Sequence, residues 1–141
     1  MAVLAWYPCL CVDDVERSVA FYTGLLGLDV TADVGWYVEV GRPPADIVVA
    51  LVERGHPSVP AGFGAQRGGM LVSVLVDDAP ALAAAAIERG TTIAQNLRDE
   101  PFGQRHFMAV DPDGFLVDVI QRIRPSGAFL RDLALGRRRR R

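Results

Sequence analysis

The sequence predicts an α+β fold made of two tandem βαβββ units, and three observations predict it. Leu10-Cys11-Val12-Asp13-Asp14 recurs 64 residues on as Val74-Leu75-Val76-Asp77-Asp78, each copy an apolar strand ending in paired aspartates. Each copy leads into a helical stretch. Each helix is then followed by three strand-like runs. A sheet with one helix is covered on one face only, so the halves, or two subunits, must complete each other.

After the first strand, Val15, Val19, Tyr22 and Leu26 fall at helical spacing, and Gly27 supplies a stop signal. The aspartates ahead of both helices suit helix starts, where they cap free N–H groups and meet the positive end of the dipole. Strand signals follow over 28–33, 36–40 and 47–52, with turns at Val34-Gly35 and 41–44. The 53–69 connection is rich in Gly and Pro and reads as a linker. In the second half, 79–89 is an alanine-rich helix with Pro80 in its first turn and Gly90 past its end. Strands follow over 92–95, 105–110 and 115–121, the last two joined by Asp111-Pro112-Asp113-Gly114, a strong turn sequence. The expected organisation is one domain over 1–124, with units at about 7–52 and 70–122 and a tail over 125–141. In that tail, 128–135 accommodates two turns of amphipathic helix before the Arg137–Arg141 run, which reads as a solvated, frayed end.

Composition bounds the function. The 141 residues are 50% hydrophobic and 23% charged, enough for a real core in one domain. No apolar run approaches the roughly 18–20 residues that span a bilayer. The opening segment lacks a basic start and runs into Asp13-Asp14, so it reads as a first strand and not a signal peptide. A cytoplasmic protein without a membrane partner is the expectation. Net charge is −2, but setting aside Arg137–Arg141 leaves ten basic against seventeen acidic residues, a body at −7. A body that acidic argues against nucleic acid as a partner. Every basic side chain is Arg; there is no Lys. Cys9 and Cys11 are too few for a zinc site and read as buried reduced thiols.

The helix start followed by Ser18-Val19-Ala20-Phe21-Tyr22 and then Leu25-Leu26-Gly27-Leu28, within paired βαβββ units, resembles the vicinal-oxygen-chelate superfamily. That group holds glyoxalases, bleomycin-resistance proteins, fosfomycin-modifying enzymes and extradiol dioxygenases. The stretch from Arg98 through Phe102-Gly103-Gln104-Arg105-His106-Phe107, then Asp111-Pro112-Asp113-Gly114 and Asp118, looks like the branch that binds bleomycin or mitomycin. The resemblance covers about residues 7–122. It implies curved mixed sheets around a cleft and, in the metalloenzymes, ligands from the first and fourth strands of each unit. Here those positions carry Tyr7, Ala50, Leu71 and Asp118. A catalytic divalent ion needs about three N, O or S donors, so no metal and no cofactor are expected.

The resemblance implies a cleft lined instead by Tyr7, Cys9, Leu71 and Ser73 on first strands and by Asp118 on the last, which shares a face with Leu116 and Ile120. Arg105 offers itself as a partner for Asp118, because an unpaired buried carboxylate is costly. Trp36 and Tyr37 are adjacent on a strand and face opposite sides, one under a helix and the other in the cleft. Phe63 and Phe102 lie in Gly-rich loops, where a large apolar residue caps a pocket. His106 sits on the penultimate strand as a structural group or ligand contact, and His56 reads as an exposed loop side chain. Together these point to a homodimer that sequesters a hydrophobic or aromatic small molecule, an antibiotic by the resemblance, without metal. The alternative is a glyoxalase-like lyase or isomerase, or an extradiol-type dioxygenase. No nucleophile elbow or phosphate-binding loop is present.

Overall fold

A computed structural model of the chain describes residues 1–65 and 68–139. Gln66 and Arg67 of the expected connection, and Arg140 and Arg141 of the arginine run, lie outside the described residues. The chain forms two compact units, Met1–Met70 with Asp111–Phe115, and Leu71–Val110 with Leu116–Arg141. The fold is α+β, with two four-stranded mixed sheets in two βαβββ units.

In the first unit the order is β1 (Cys9–Val12), α1 (Val15–Leu26), β2 (Asp29–Asp33), β3 (Tyr37–Arg42) and β4 (Ala45–Glu53). The sheet order is β1-β4-β3-β2, with β1 parallel to β4 and the other pairs antiparallel. Leu10, Val12, Val38, Val40, Val49 and Leu51 are buried, and strand alternation puts them on one face, against α1. Asp14 caps α1 by accepting from the Arg17 N–H, and the helix stops at Gly27. The buried helix positions are Ser18, Tyr22 and Leu25, a phase rotated from the expected Val15, Val19, Tyr22 and Leu26. The cause is polar. The Ser18 hydroxyl donates to Asp113 at 3.3 Å and the Tyr22 hydroxyl to Asp111 at 2.7 Å. The β3–β4 hairpin also closes tightly: a Cβ at Gly41 would collide with the Asp46 carbonyl oxygen.

In the second unit β5 (Leu71–Leu75), α2 (Ala79–Glu88), β6 (Ile93–Glu100), β7 (Gln104–Val110) and β8 (Leu116–Arg122) repeat the pattern, in the order β5-β8-β7-β6. Ala79, Ala83 and Ala86 are the buried residues of α2, which packs on β6, β7 and β8. Val72, Phe107, Ala109, Val117 and Val119 are buried in the same unit. The second strand of this unit, β6, is longer than the expected 92–95, because its polar second half also pairs with β7, across two register shifts. A last helix, α3 (Gly127–Arg139), extends beyond the expected 128–135.

The Asp111–Phe115 turn ties its carboxylates into the first unit. Asp111 Oδ1 accepts from the N–H groups of Asp113 and Phe115, and Asp113 Oδ1 accepts from the Asp13 N–H at 2.9 Å. Removing the Tyr22 hydroxyl takes a donor from a buried carboxylate, so Tyr22→Phe is expected to cost about 2 kcal/mol of unfolding free energy. Urea unfolding with an unchanged m-value checks this; a loss below about 0.5 kcal/mol would show the bond to be dispensable.

Candidate functional site

Strand register in the second unit lays out the sheet face opposite α2 row by row. Ser73 pairs with Asp118, Asp118 with Met108, and Met108 with Gln95. In the adjacent row Leu75 pairs with Ile120, Ile120 with His106, and His106 with Arg98. Leu71, Ser73 and Leu75 are exposed along the edge strand, the two leucines at 48% and 56%. Val117 and Val119, which alternate with Asp118, are fully buried.

Among these apolar side chains sits a buried polar cluster. His106 is 4% and Asp118 7% exposed. His106 Nδ1 lies 2.8 Å from Asp118 Oδ1, a diagonal contact between β7 and β8. On its other side Nε2 is 3.2 Å from Glu100 Oε1 and 3.1 Å from the Gln95 side-chain amide. Glu100 also pairs with Arg98. Burial disfavours the imidazolium, but the hydrogen bonds to Glu100 and Asp118 outweigh it and hold the His106 pKa above its ordinary value. Glu100 is held below the usual carboxylate range by His106 first and Arg98 second.

Arg105 is not the partner of Asp118. It sits one strand position before His106, where alternation turns it to the other face, and it binds Asp99 bidentately at 2.7 and 3.0 Å. That contact keeps the Asp99 carboxyl below its ordinary pKa and raises the guanidinium.

In the first unit the corresponding row is Cys9, Ala50 and Glu39. Tyr37 donates to Glu39 at 2.9 Å and is hydrogen-bonded to Tyr7; burial, then these bonds, raise its pKa. Cys9 is exposed and Cys11 half-buried, so neither is the deeply buried thiol expected. Both are free. Partial desolvation of its sulfur, then the neighbouring Cys11, pushes the Cys9 thiol pKa up, which makes it less reactive. Trp36 lies in the bend before β3 and not under a helix; it stacks on His56 with ring centroids 3.6 Å apart and planes 4° apart. His56 is therefore half-buried, not a free loop side chain. Phe63 is 70% exposed, and Phe102 sits in the β6–β7 turn against Phe129, centroids 6.3 Å apart. A crevice of about 430 Å³ lies within the loop from Arg54 to Ala65. It has little chemistry to offer, because Arg54 is already committed to Asp13, to the Cys11 carbonyl and to the Gly64 carbonyl.

Thus the second unit brings Leu71, Ser73, His106 and Asp118 onto one face, and the first brings Tyr7, Cys9 and Tyr37 together. Glu39, Gln95 and Glu100 are the partners the sequence reading missed. The polar run Gln95-Asn96-Leu97-Arg98-Asp99-Glu100 was the available signal for the last two.

The parallel pairs Cys9–Ala50 and Ser73–Asp118 occupy equivalent places in the two sheets. By the same register Tyr7 is equivalent to Leu71, and Ala50 to Asp118. Leucine and alanine side chains carry no donor atom, so the four positions do not fit a divalent ion. Among the described residues, no group of three or more His, Cys, Asp or Glu is placed to hold one.

The chain belongs to the Glyoxalase/Bleomycin resistance protein/Dioxygenase superfamily, whose family model matches residues 4–119. Among solved structures it is similar to a protein of unknown function from Agrobacterium tumefaciens, at 25% identity and TM-score 0.70 over 87% of this chain and 97% of that one. TnmS3, an antibiotic binding protein from a Streptomyces species, is 30% identical with TM-score 0.66, over 86% of this chain and 98% of that one. A superfamily member from Sphaerobacter thermophilus is 23% identical, with TM-score 0.66 over 85% and 98%. Comparison with curated proteins returns no match. No described helix is long and apolar enough to cross a membrane.

The raised His106 pKa has a stability consequence. Folding favours the imidazolium, so this contribution is complete below the unfolded pKa of about 6.5 and is lost as pH rises through the higher folded value. Unfolding free energy is expected to fall as pH rises above about 6.5, with the His106→Gln variant flat over the same range. An equal slope in the variant would assign the effect to other groups.

Proposed function

We propose that the protein binds and sequesters a hydrophobic or aromatic small molecule of the antibiotic type without a metal ion. The observation that carries this reading is the exposed apolar edge of the second sheet. Leu71 and Leu75 stand exposed on either side of Ser73, beside the buried Asp118–His106 pair. Mostly apolar walls with a few fixed polar groups are the make-up of a small-molecule site. The likeness to TnmS3 supports the same ligand class. In this reading Tyr7, Tyr37 and Cys9 line a second polar patch in the first unit, and Trp36, Phe63 and Phe102 supply aromatic surface. Exposed leucines on an edge strand also favour a homodimer, since a second copy would cover them. Free Cys9 and Cys11 suit a reducing compartment, the cytoplasm.

The competing reading, a lyase, isomerase or dioxygenase of the same superfamily, would draw on the same His106–Asp118 pair. Its base is not free. Both ring nitrogens of His106 already face hydrogen-bond partners, and the imidazole is held toward its protonated form.

Calorimetric titration with aromatic antibiotics, bleomycin and mitomycin among them, tests the proposal in the presence of EDTA. We expect stoichiometric binding at micromolar Kd or tighter, about −8 kcal/mol. Leu71→Asp, which places a charge on an exposed apolar position, should weaken it at least about tenfold. Binding that disappears with EDTA and returns with a divalent ion would overturn the proposal, as would no binding across the panel.

A further inference from the structure

Strand β1 carries two thiols on one face. Leu10 and Val12 are buried, so Cys9 and Cys11, which alternate with them, stand on the face opposite α1. Cys9 is exposed, Cys11 is half-buried, and both are free. The strand that holds them is fixed. Cys9 pairs with Ala50 and Cys11 with Val52 in the parallel β1–β4 ladder, and the Arg54 guanidinium donates to the Cys11 carbonyl at 2.7 Å. Side chains two positions apart on a strand are rooted roughly 6.6 Å from each other. A disulfide needs its Cβ atoms at about 3.5–4.5 Å, so these sulfurs cannot bond to each other without bending the strand. They are nevertheless close enough that Cys11 contributes to the raised pKa of Cys9. Gly64 leaves room at the inner sulfur, since even a Cβ added there would make only an ordinary contact with it at 3.7 Å. The fold itself does not ask for cysteine here. The 64-residue repeat puts Ser73 and Leu75 at the equivalent places in β5, so the thiol pair belongs to one unit only.

We propose that Cys9 and Cys11 form a dithiol site that chelates a trivalent arsenical, one arsenic atom bridging the two sulfurs. Two thiols are too few for a structural divalent ion, and among the described residues no further His, Cys, Asp or Glu completes such a set. Trivalent arsenic is a soft centre that two sulfurs satisfy, together with a group it already carries. An inserted atom bonded to each sulfur also spans the gap that a disulfide cannot. With phenylarsine oxide, two S–H bonds and the arsenic–oxygen double bond break and two As–S bonds form. Both protons leave with the oxygen as one water. Arsenic stays trivalent, so the step needs no oxidant or reductant. The raised pKa of Cys9 fits this chemistry. It keeps the thiol protonated and slow toward alkylation, which needs the thiolate, whereas the arsenical carries the proton off in the water it releases. This inference does not rest on the ligand-binding proposal, whose carrying feature is the leucine edge of the other unit.

Intact mass spectrometry of the reduced full chain with phenylarsine oxide tests it. A single adduct per chain is expected, formed with loss of one water. Excess ethanedithiol should strip it. Glutathione at the same thiol concentration should not, because closing the second As–S bond within one strand strengthens binding about a hundredfold or more. Cys9→Ser installs the residue that β5 carries at the equivalent place, so it should unfold as the parent does. Its affinity for phenylarsine oxide should fall at least about a hundredfold, and that of Cys11→Ser likewise. No adduct, two arsenicals on one chain, or equally tight binding by Cys9→Ser would overturn the proposal. So would an adduct that joins two chains, which would put the bridged sulfurs in different molecules.

Discussion

The turn from Asp111 to Phe115 is the constraint on which the rest of the structure depends. Its two aspartates are buried, at 4% and 3% exposure, yet all four carboxylate oxygens have partners. Buried carboxylates left without such donors would destabilise the fold; fully satisfied, they specify it. The same turn joins β7 to β8 and so sets their register from Val110–Leu116 onward. That register is what places His106 diagonally from Asp118. A one-residue slip would turn one of them to the α2 face and separate the pair.

The two units show how one backbone plan carries different chemistry. Equivalent rows read Cys9, Ala50, Glu39 in one sheet and Ser73, Asp118, Met108 in the other. In the first unit a carboxylate, Glu39, is held by the Tyr37 hydroxyl, and in the second Asp118 is held by an imidazole that is itself shared with Glu100. Both arrangements use their polar atoms on each other. A site of this kind selects its ligand by shape and by a small number of fixed contacts. The imidazole of His106 is engaged at both nitrogens.

Much of this was legible in the sequence. The 64-residue repeat of an apolar strand with paired aspartates, and the Asp-Pro-Asp-Gly turn, were sufficient for the two βαβββ units, since they report local rules of capping and turning. Period-two alternation placed Asp118 with Leu116 and Ile120 and turned Val117 and Val119 away. It failed where pairing is irregular. Two register shifts in β6 change which residues share a face, so Glu100 and Gln95 reached His106 unannounced; Arg105, by contrast, faces Asp99 through regular alternation on β7. Trp36 escaped for a related reason: it lies in a bend, where strand alternation does not hold. Ser18 displaced Val15 and Val19 from the buried face of α1 because a long-range hydrogen bond to Asp113, 95 residues away, is invisible to hydrophobic spacing.

The central claim is that this member of the superfamily works through an apolar face and fixed polar groups, with no ion at the first- and fourth-strand positions. Calorimetric titration of chelator-stripped protein with manganese, iron(II), nickel and zinc tests it most directly. Binding no tighter than about millimolar for every ion, roughly −4 kcal/mol, is the expected result. Stoichiometric micromolar binding of any of them would contradict the account and show that donors outside Tyr7, Ala50, Leu71 and Asp118 converge on a metal.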